Sequence, residues 1–351
     1  MKIVCAAALL LLALHPVISQ AAPEPLNAGD LLDITESEEV MVPGYKYPYR
    51  WNNGMTGDAV HFKEVWGYML AGYVSEYNTE SDLTDIGLFA ASVDTFGNVV
   101  NIPSRSLVAD FPGRVHLVAV CDGRALSHFV LAASSLRKKA VRTLAAAAED
   151  FDGVQIDFEY IPPEDSDNYL SFLKYLKSKI GKKQLTVCVH ARTKKLERDA
   201  EDYAAIGKVA DRIMIMAYDE HWSTSAPGSI ASMDWCRRVA DYALTVWPPE
   251  KYIMGAPFYG RTWPDKNWRQ AWYFEGINRI LHEQNVAHIE RENEVPHFTF
   301  TTEVTITGWY EDAKSLTARA RMYKDYGFSS VAFWRIGHED DAVWQWIKAE
   351  E

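Results

Sequence analysis

From about Val65 onward the chain alternates short apolar runs, rich in β-branched and aromatic residues, with longer amphipathic ones. Eight runs read as strands: 66–74 (WGYMLAGYV), 86–93, 115–121, 153–160 (GVQIDFEY), 184–191, 211–219, 252–260 and 329–337. Between them, 134–150, 166–181, 232–247 and 309–327 carry apolar residues at 3.6-residue spacing with charges on the opposite face, the pattern of helices that cover a sheet. Strands that alternate with helices pair in parallel through right-handed crossovers. Eight such units predict an α/β fold, a closed (β/α)8 TIM barrel over residues 63–351. An open doubly wound sheet is the alternative, but no glycine-rich phosphate loop follows the first strand.

Three segments fall outside this rhythm. Residues 1–21 have Lys2, an apolar run from Ile3 to Leu14 and Ser19-Gln20-Ala21, the layout of a cleaved leader, so an exported chain starting near Ala22 is expected. Residues 22–62 are polar and rich in Pro, Gly and Asn, and read as an N-terminal arm without an assigned function. Residues 262–308, between the seventh and eighth strands, hold a helical stretch (273–285) and strand-like runs (287–293, 296–303, 304–309). They predict a small α+β insertion at the C-terminal face of the barrel.

Composition narrows the partners. Loss of Lys2 with the leader leaves 35 basic residues against 48 acidic ones, a charge of −13, which argues against nucleic acid and anionic membrane surfaces. No later run reaches the roughly 18 apolar residues of a membrane span. Cys121, Cys188 and Cys236 lie far apart in apolar segments, with no CxxC and no Cys/His cluster. Buried free thiols are expected, and neither a metal nor a cofactor. Twelve tryptophans and eighteen tyrosines suit a sugar-binding cleft, although core filling accounts for most of them.

The chemistry concentrates in FDGVQIDFEY (151–160). Alternate residues on a strand share a face, so Gln155, Asp157 and Glu159 point one way and Val154, Ile156 and Phe158 the other. In a barrel the apolar set packs under the helices, and the acids line the interior near the C-terminal end, where barrel enzymes hold their sites. Two carboxylates about 7 Å apart in a partly desolvated space raise each other's cost of ionisation, and one keeps its proton near neutral pH. A protonated acid beside an ionised one is what cleavage of a glycosidic bond needs. A structural ion-pair network is the competing reading, and no Lys or Arg lies within the strand to complete one. Asp152, by parity off this face, is expected to brace the turn into the strand.

DGVQIDFE (152–159) resembles the DGxDxDxE signature of glycoside hydrolase family 18. Further matches follow in barrel order: Gly72-Tyr73 on the first strand, MAYD (216–219) on the sixth, GAPFYGR (255–261) on the seventh and Trp334 on the eighth. The likeness is greatest to the branch of spore-cortex peptidoglycan hydrolases and di-N-acetylchitobiase, carried by MAYDEHWSTSAPGSIASMDW (216–235) and by 311–340. The resemblance implies a retaining, substrate-assisted mechanism in which the 2-acetamido oxygen of the substrate is the nucleophile. It makes Glu159 the general acid and base, gives Asp157 the orientation of the acetamido group, has Tyr218 hydrogen-bond the acetamido oxygen, and lays Trp334 under the −1 sugar. Gln155, Tyr73, Met216, Asp219, Tyr259 and Arg261 become further substrate contacts.

Gln155 departs from the signature, which has an aspartate there in many chitinases. A glutamine gives and takes hydrogen bonds but does not ionise, and the branch that the chain resembles commonly carries an amide at this position. Asp157 is therefore expected to stay ionised over a wide pH range and to hold the proton on Glu159. The expected partner is a GlcNAc-containing glycan, with peptidoglycan first and chitin, chito-oligosaccharides or N-glycan cores as alternatives, hydrolysed by a monomer. A chitinase-like lectin is the rival reading; such proteins typically lack the catalytic glutamate, which is present here as Glu159.

Overall fold

Each of the eight apolar runs contains a strand of one parallel barrel. In chain order these are β1 (Glu64–Leu70), β2 (Asp85–Val93), β3 (Arg114–Asp122), β4 (Gly153–Glu159), β5 (Gln184–His190), β6 (Arg212–Met216), β7 (Tyr252–Pro257) and β8 (Ser330–Trp334). Every strand pairs with its neighbours in sequence, and β8 closes onto β1, Val331 opposite Val65. This computed structural model describes residues 55–268 and 271–350, with the backbone of 40–42 and 45–47. The proposed leader and most of the arm lie outside the described residues. The chain divides into two units, Met1–Gly57 and Asp58–Glu351. The first contains an antiparallel strand pair, Val40–Val42 with Tyr45–Tyr47; the second is the barrel. Val60–Phe62, counted with the arm above, pairs with Ile347–Ala349 within the second unit, and Phe62 is fully buried.

The helices are α1 (Arg124–Ala132), α2 (Ser134–Ala147), α3 (Ser166–Ile180), α4 (Tyr203–Gly207), α5 (Met233–Leu244), α6 (Phe274–Glu283) and α7 (Ala313–Asp325). The first two crossovers hold the 3-10 turns Ala71–Glu76 and Arg105–Val108 and, in the second, a short strand Val99–Val100 antiparallel to the end of β2. They hold no α-helix, because residues 75–84 and 94–113 are rich in Asn, Asp, Ser, Gly and Pro and lack a helical apolar stripe. Between β7 and β8, Arg261–Pro264 pairs antiparallel with Ile306–Trp309, and α6 and the hairpin Glu290–Glu292/Val295–His297 lie between those strands. Of the strand-like run 296–303 only Pro296 and His297 are extended ladder. Beyond them Phe298 and Phe300 stack, and Phe300 packs edge-on to Trp268 at 5.1 Å instead of pairing.

Two apolar layers hold the barrel. Val154, Ile156 and Phe158 face the helices, with Phe158 against Phe172 of α3 at 5.1 Å. Inside, Trp66, Tyr68, Val118, Cys188, Met214, Ile253 and Ala332 fill the lumen. Burial of one such large side chain stabilises by roughly 1.5–3 kcal/mol. The N-terminal end is closed by charge: Arg114 binds Glu64 and Asp85, His116 binds Asp85 at 2.7 Å, and Arg212 binds Glu64 and Ser330. At the entry to β4 only glycine fits, since a Cβ on Gly153 would lie 2.3 Å from His116 Nδ1 and 2.8 Å from the Gln184 carbonyl. Beside it, Asp152 accepts a hydrogen bond from the Val115 amide at 2.8 Å and braces the turn. Cys121, Cys188 and Cys236 are buried free thiols. With one end plugged and the middle packed, the open end of the barrel is the C-terminal one.

Candidate active site

β4 delivers its polar residues to the lumen in three steps. Gln155 is deepest and fully buried; its Nε2 donates to the Tyr68 hydroxyl at 2.8 Å. Asp157 is one step higher, 7% exposed, with one carboxylate oxygen lacking a hydrogen-bond partner among the described residues. Glu159, half-buried, ends the strand, and the left-handed Tyr160 (φ 56°) turns the chain away above it.

Burial, reinforced by the Glu159 charge, pushes Asp157 up to about 7. Burial also raises Glu159; His190 pulls it down, while Glu201, Asp122 and Asp219 push it up. The expectation that Asp157 stays ionised over a wide range is therefore overturned. Gln155 does not ionise, but its amide N–H goes to Tyr68, and desolvation favours the protonated carboxyl of Asp157.

The neighbouring strands complete the mouth. Tyr218 follows β6, and Gly255 on β7 leaves it room: a Cβ there would come within 3.1 Å of Tyr218 Cε1 and 2.6 Å of the Ile215 carbonyl. Burial raises the Tyr218 hydroxyl, which stays a protonated donor. Asp219, left-handed at φ 57°, accepts from the Tyr259 hydroxyl at 2.7 Å and from Arg261 Nη2 at 2.8 Å. That clamp locks three residues singled out in the sequence into one wall, with the Arg261 guanidinium over the Tyr259 ring. Trp334 ends β8, its ring 5.7 Å from that of Tyr68 and 4.7 Å from that of Phe89, packed on the apolar cluster inside the barrel.

A cleft of about 580 Å³ opens above these groups. Glu159, Met216, Tyr218, Asp219 and Arg261 line it, and so do Tyr160, His190, Arg192, Trp222 and Trp235, which the sequence reading missed. Tyr73 requires correction. β1 ends at Leu70, so Gly72-Tyr73 is not on the strand; Tyr73 sits in the 3-10 turn, 45% exposed, with the Arg335 guanidinium over its ring. The Gly-Tyr pair on β1 is Gly67-Tyr68, and Tyr68 is the tyrosine that reaches Gln155. Strand parity from Trp66 would have found Tyr68. The same alternation in QLTVCVH puts Thr186, Cys188 and His190 on one face and would have found His190.

Trp222 is 52% exposed yet fixed: its indole N–H donates to Thr224 Oγ1 at 2.9 Å, and its carbonyl accepts from Trp263 Nε1 at 3.1 Å. A rigid, exposed indole in the cleft that Glu159 also lines can stack on a pyranose while a glycosidic bond lies against that acid.

Comparison with known proteins agrees with this geometry. The family described as Glycosyl hydrolases family 18 matches residues 121–339. The uncharacterized glycosylase YvbX of Bacillus subtilis is 28% identical over 222 residues, 58% of this chain and 62% of that protein. The cortical fragment-lytic enzyme of Bacillus anthracis is 26% identical over 227 residues, 60% of this chain and 53% of that protein. The chain thus spans about half to three fifths of the length of these relatives. The crystal structure of the Bacillus cereus spore cortex-lytic enzyme SleL superposes with a TM-score of 0.66 at 21% identity, covering 84% of this chain and 77% of that one, a likeness of fold. No helix among the described residues is long and apolar enough to cross a membrane.

Proposed function

Because the chain belongs to glycosyl hydrolases family 18, we propose that it is an exported retaining hydrolase that cleaves β-linked GlcNAc glycans by substrate-assisted catalysis, with peptidoglycan as its substrate. The observation that carries the reading is the pairing of Asp157 and Glu159 on one interior face of β4, both with raised proton affinity, under an aromatic cleft.

Protonated Glu159 gives its proton to the glycosidic oxygen as the C1–O bond breaks. The carbonyl oxygen of the substrate's own 2-acetamido group bonds to C1 from the opposite face and forms an oxazolinium ion. The reacting form has Glu159 protonated and Asp157 ionised, a form that the Asp157 value of about 7 leaves populated at and above neutral pH. Asp157 then accepts the acetamido N–H, which supplies the partner that its buried oxygen lacks, and its charge balances the cation. The Tyr218 hydroxyl donates to the acetamido oxygen and keeps it beneath C1. Glu159, now ionised, takes a proton from the incoming water, whose oxygen opens the oxazolinium, and so returns to its protonated form while Asp157 stays ionised. Trp334 supports the −1 sugar from below.

The cortical fragment-lytic relatives favour peptidoglycan. Chito-oligosaccharides are the second reading, favoured by the cleft itself. Arg192 is paired with Asp199 and Arg261 with Asp219, so the wall is largely neutralised and suits an uncharged sugar. Incubation with purified peptidoglycan and with chito-oligosaccharides, followed by mass spectrometry of the new reducing ends, separates the two. Fragments of peptidoglycan that end in GlcNAc are expected. Cleavage of chito-oligosaccharides alone would overturn the peptidoglycan assignment, and cleavage of neither would overturn the reading of the chain as a GlcNAc hydrolase.

A further inference from the structure

We propose that His190 is a positioning residue for the proton of Glu159: anchored from behind by the buried carboxylate of Glu201, its imidazolium stands beside the acid at the barrel mouth and sets the pH at which that acid ionises. The inference rests on the reading of Glu159 as the proton donor and adds a residue that no part of that reading requires.

Register brings the two together. β4 and β5 run parallel with Gln155 opposite Thr186 and Ile156 opposite Val187, and the same alternation continued along both strands sets Glu159 level with His190. Across the other ladder His190 pairs with Met216, and all three residues line the cleft.

Glu201, only 5% exposed, lies on the loop that follows β5. It accepts the His190 backbone N–H at 2.7 Å and faces Nδ1 of the ring at 2.8 and 2.9 Å. With Nδ1 committed to Glu201, Nε2 is the ring nitrogen left for the cleft. Arg192, on the same loop, reaches Glu201 at 3.6 Å and is tied more closely to Asp199 at 2.8 Å, which fixes the anchor in place. From β4, Asp157 and Glu159 are coupled to the ring through charge, and Tyr160 packs on it at 5.8 Å.

The electrostatic balance gives this arrangement a consequence. Burial lowers the proton affinity of His190, but its hydrogen bond to Glu201 and the charges of Glu201 and Glu159 outweigh burial and raise it, which favours the cationic ring. Among the groups that act most strongly on Glu159, Glu201, Asp122 and Asp219 are acidic and His190 alone is basic. Without that cation, burial and the three acids would raise the proton affinity of Glu159 further, away from the balance between giving and taking a proton that its two steps need. A purely structural His190–Glu201 clamp would tie the loop to β5 and leave the titration of Glu159 untouched.

The test uses the pH–rate profile of the full chain on a GlcNAc oligosaccharide. Its alkaline limb falls as the acid loses its proton. His190→Gln, which removes the charge, moves that limb upward by about half a pH unit or more. His190→Lys, which keeps the charge, brings it back toward the parent position. Coupling between two sites is reciprocal, so in Glu159→Gln the imidazole NMR titration of His190 has its midpoint lowered by a comparable amount, a readout independent of activity. Identical limbs in the parent and in His190→Gln, together with an unmoved imidazole midpoint, overturn the role of His190. A lowered midpoint with an unmoved limb overturns instead the assignment of Glu159 as the acid.

Discussion

Glu159→Gln loses about a thousandfold or more of the hydrolytic rate and keeps its fold. The size follows from the two jobs of one carboxyl, proton donor in the first step and base in the second, each worth roughly 10²–10⁴. Glutamine keeps the shape and the hydrogen-bonding capacity but neither gives nor takes a proton. Binding of glycan survives, because the stacking surface of Trp222 and the Asp219–Arg261 wall are untouched. Steady-state rates alongside calorimetric binding of a chito-oligosaccharide check both halves. Loss of binding in parallel with loss of rate would make Glu159 a binding group instead.

Asp157→Asn is the second large effect, and it moves rate and stability in opposite directions. The rate falls by about a hundredfold or more, since an asparagine offers no charge to the oxazolinium, while KM changes little. The stability sign follows from proton affinity. Asp157 has a folded-state value of about 7, above the ordinary carboxylate value of an unfolded chain, so the folded state binds the proton more tightly. Ionising this carboxyl therefore destabilises the fold progressively from the unfolded value up to about 7, and the penalty is complete above that. Asparagine escapes it. The variant gains on the parent by about 2 to 3 kcal/mol between pH 5 and pH 8. Denaturant unfolding at the two pH values measures the gain, and a difference that does not grow with pH would contradict the burial of Asp157 as an unsatisfied acid. A residue whose removal stabilises the fold and stops the chemistry is kept for the chemistry.

The barrel was legible because its two periods differ. Strands of five to nine residues and amphipathic helices of twelve or more leave distinct apolar patterns, so all eight strands and the acid face of β4 could be read from spacing alone. What failed was local or non-local in a way that pattern cannot carry. β1 stops at Leu70 although its apolar run continues to Val74, and that made Tyr73 the candidate in place of Tyr68. The partner of Gln155 is a tyrosine 87 positions away, so the effect of the glutamine on Asp157 could not be read from its neighbours. Glu201 reaches His190 from a polar loop 11 residues on, where nothing in the spacing separates it from other loop acids. Trp222 looked like any tryptophan until its two hydrogen bonds fixed it in the open.

In the proposed mechanism the substrate's own acetamido group, oriented by Asp157 and served by Glu159, attacks the anomeric carbon. Two inversions at that carbon leave its configuration unchanged. Proton NMR of the first reducing ends released from a β-linked GlcNAc oligosaccharide, recorded before mutarotation, measures this most directly. The β anomer is expected at the earliest times; α anomer as the first product would mean direct attack by water and would overturn participation of the acetamido group.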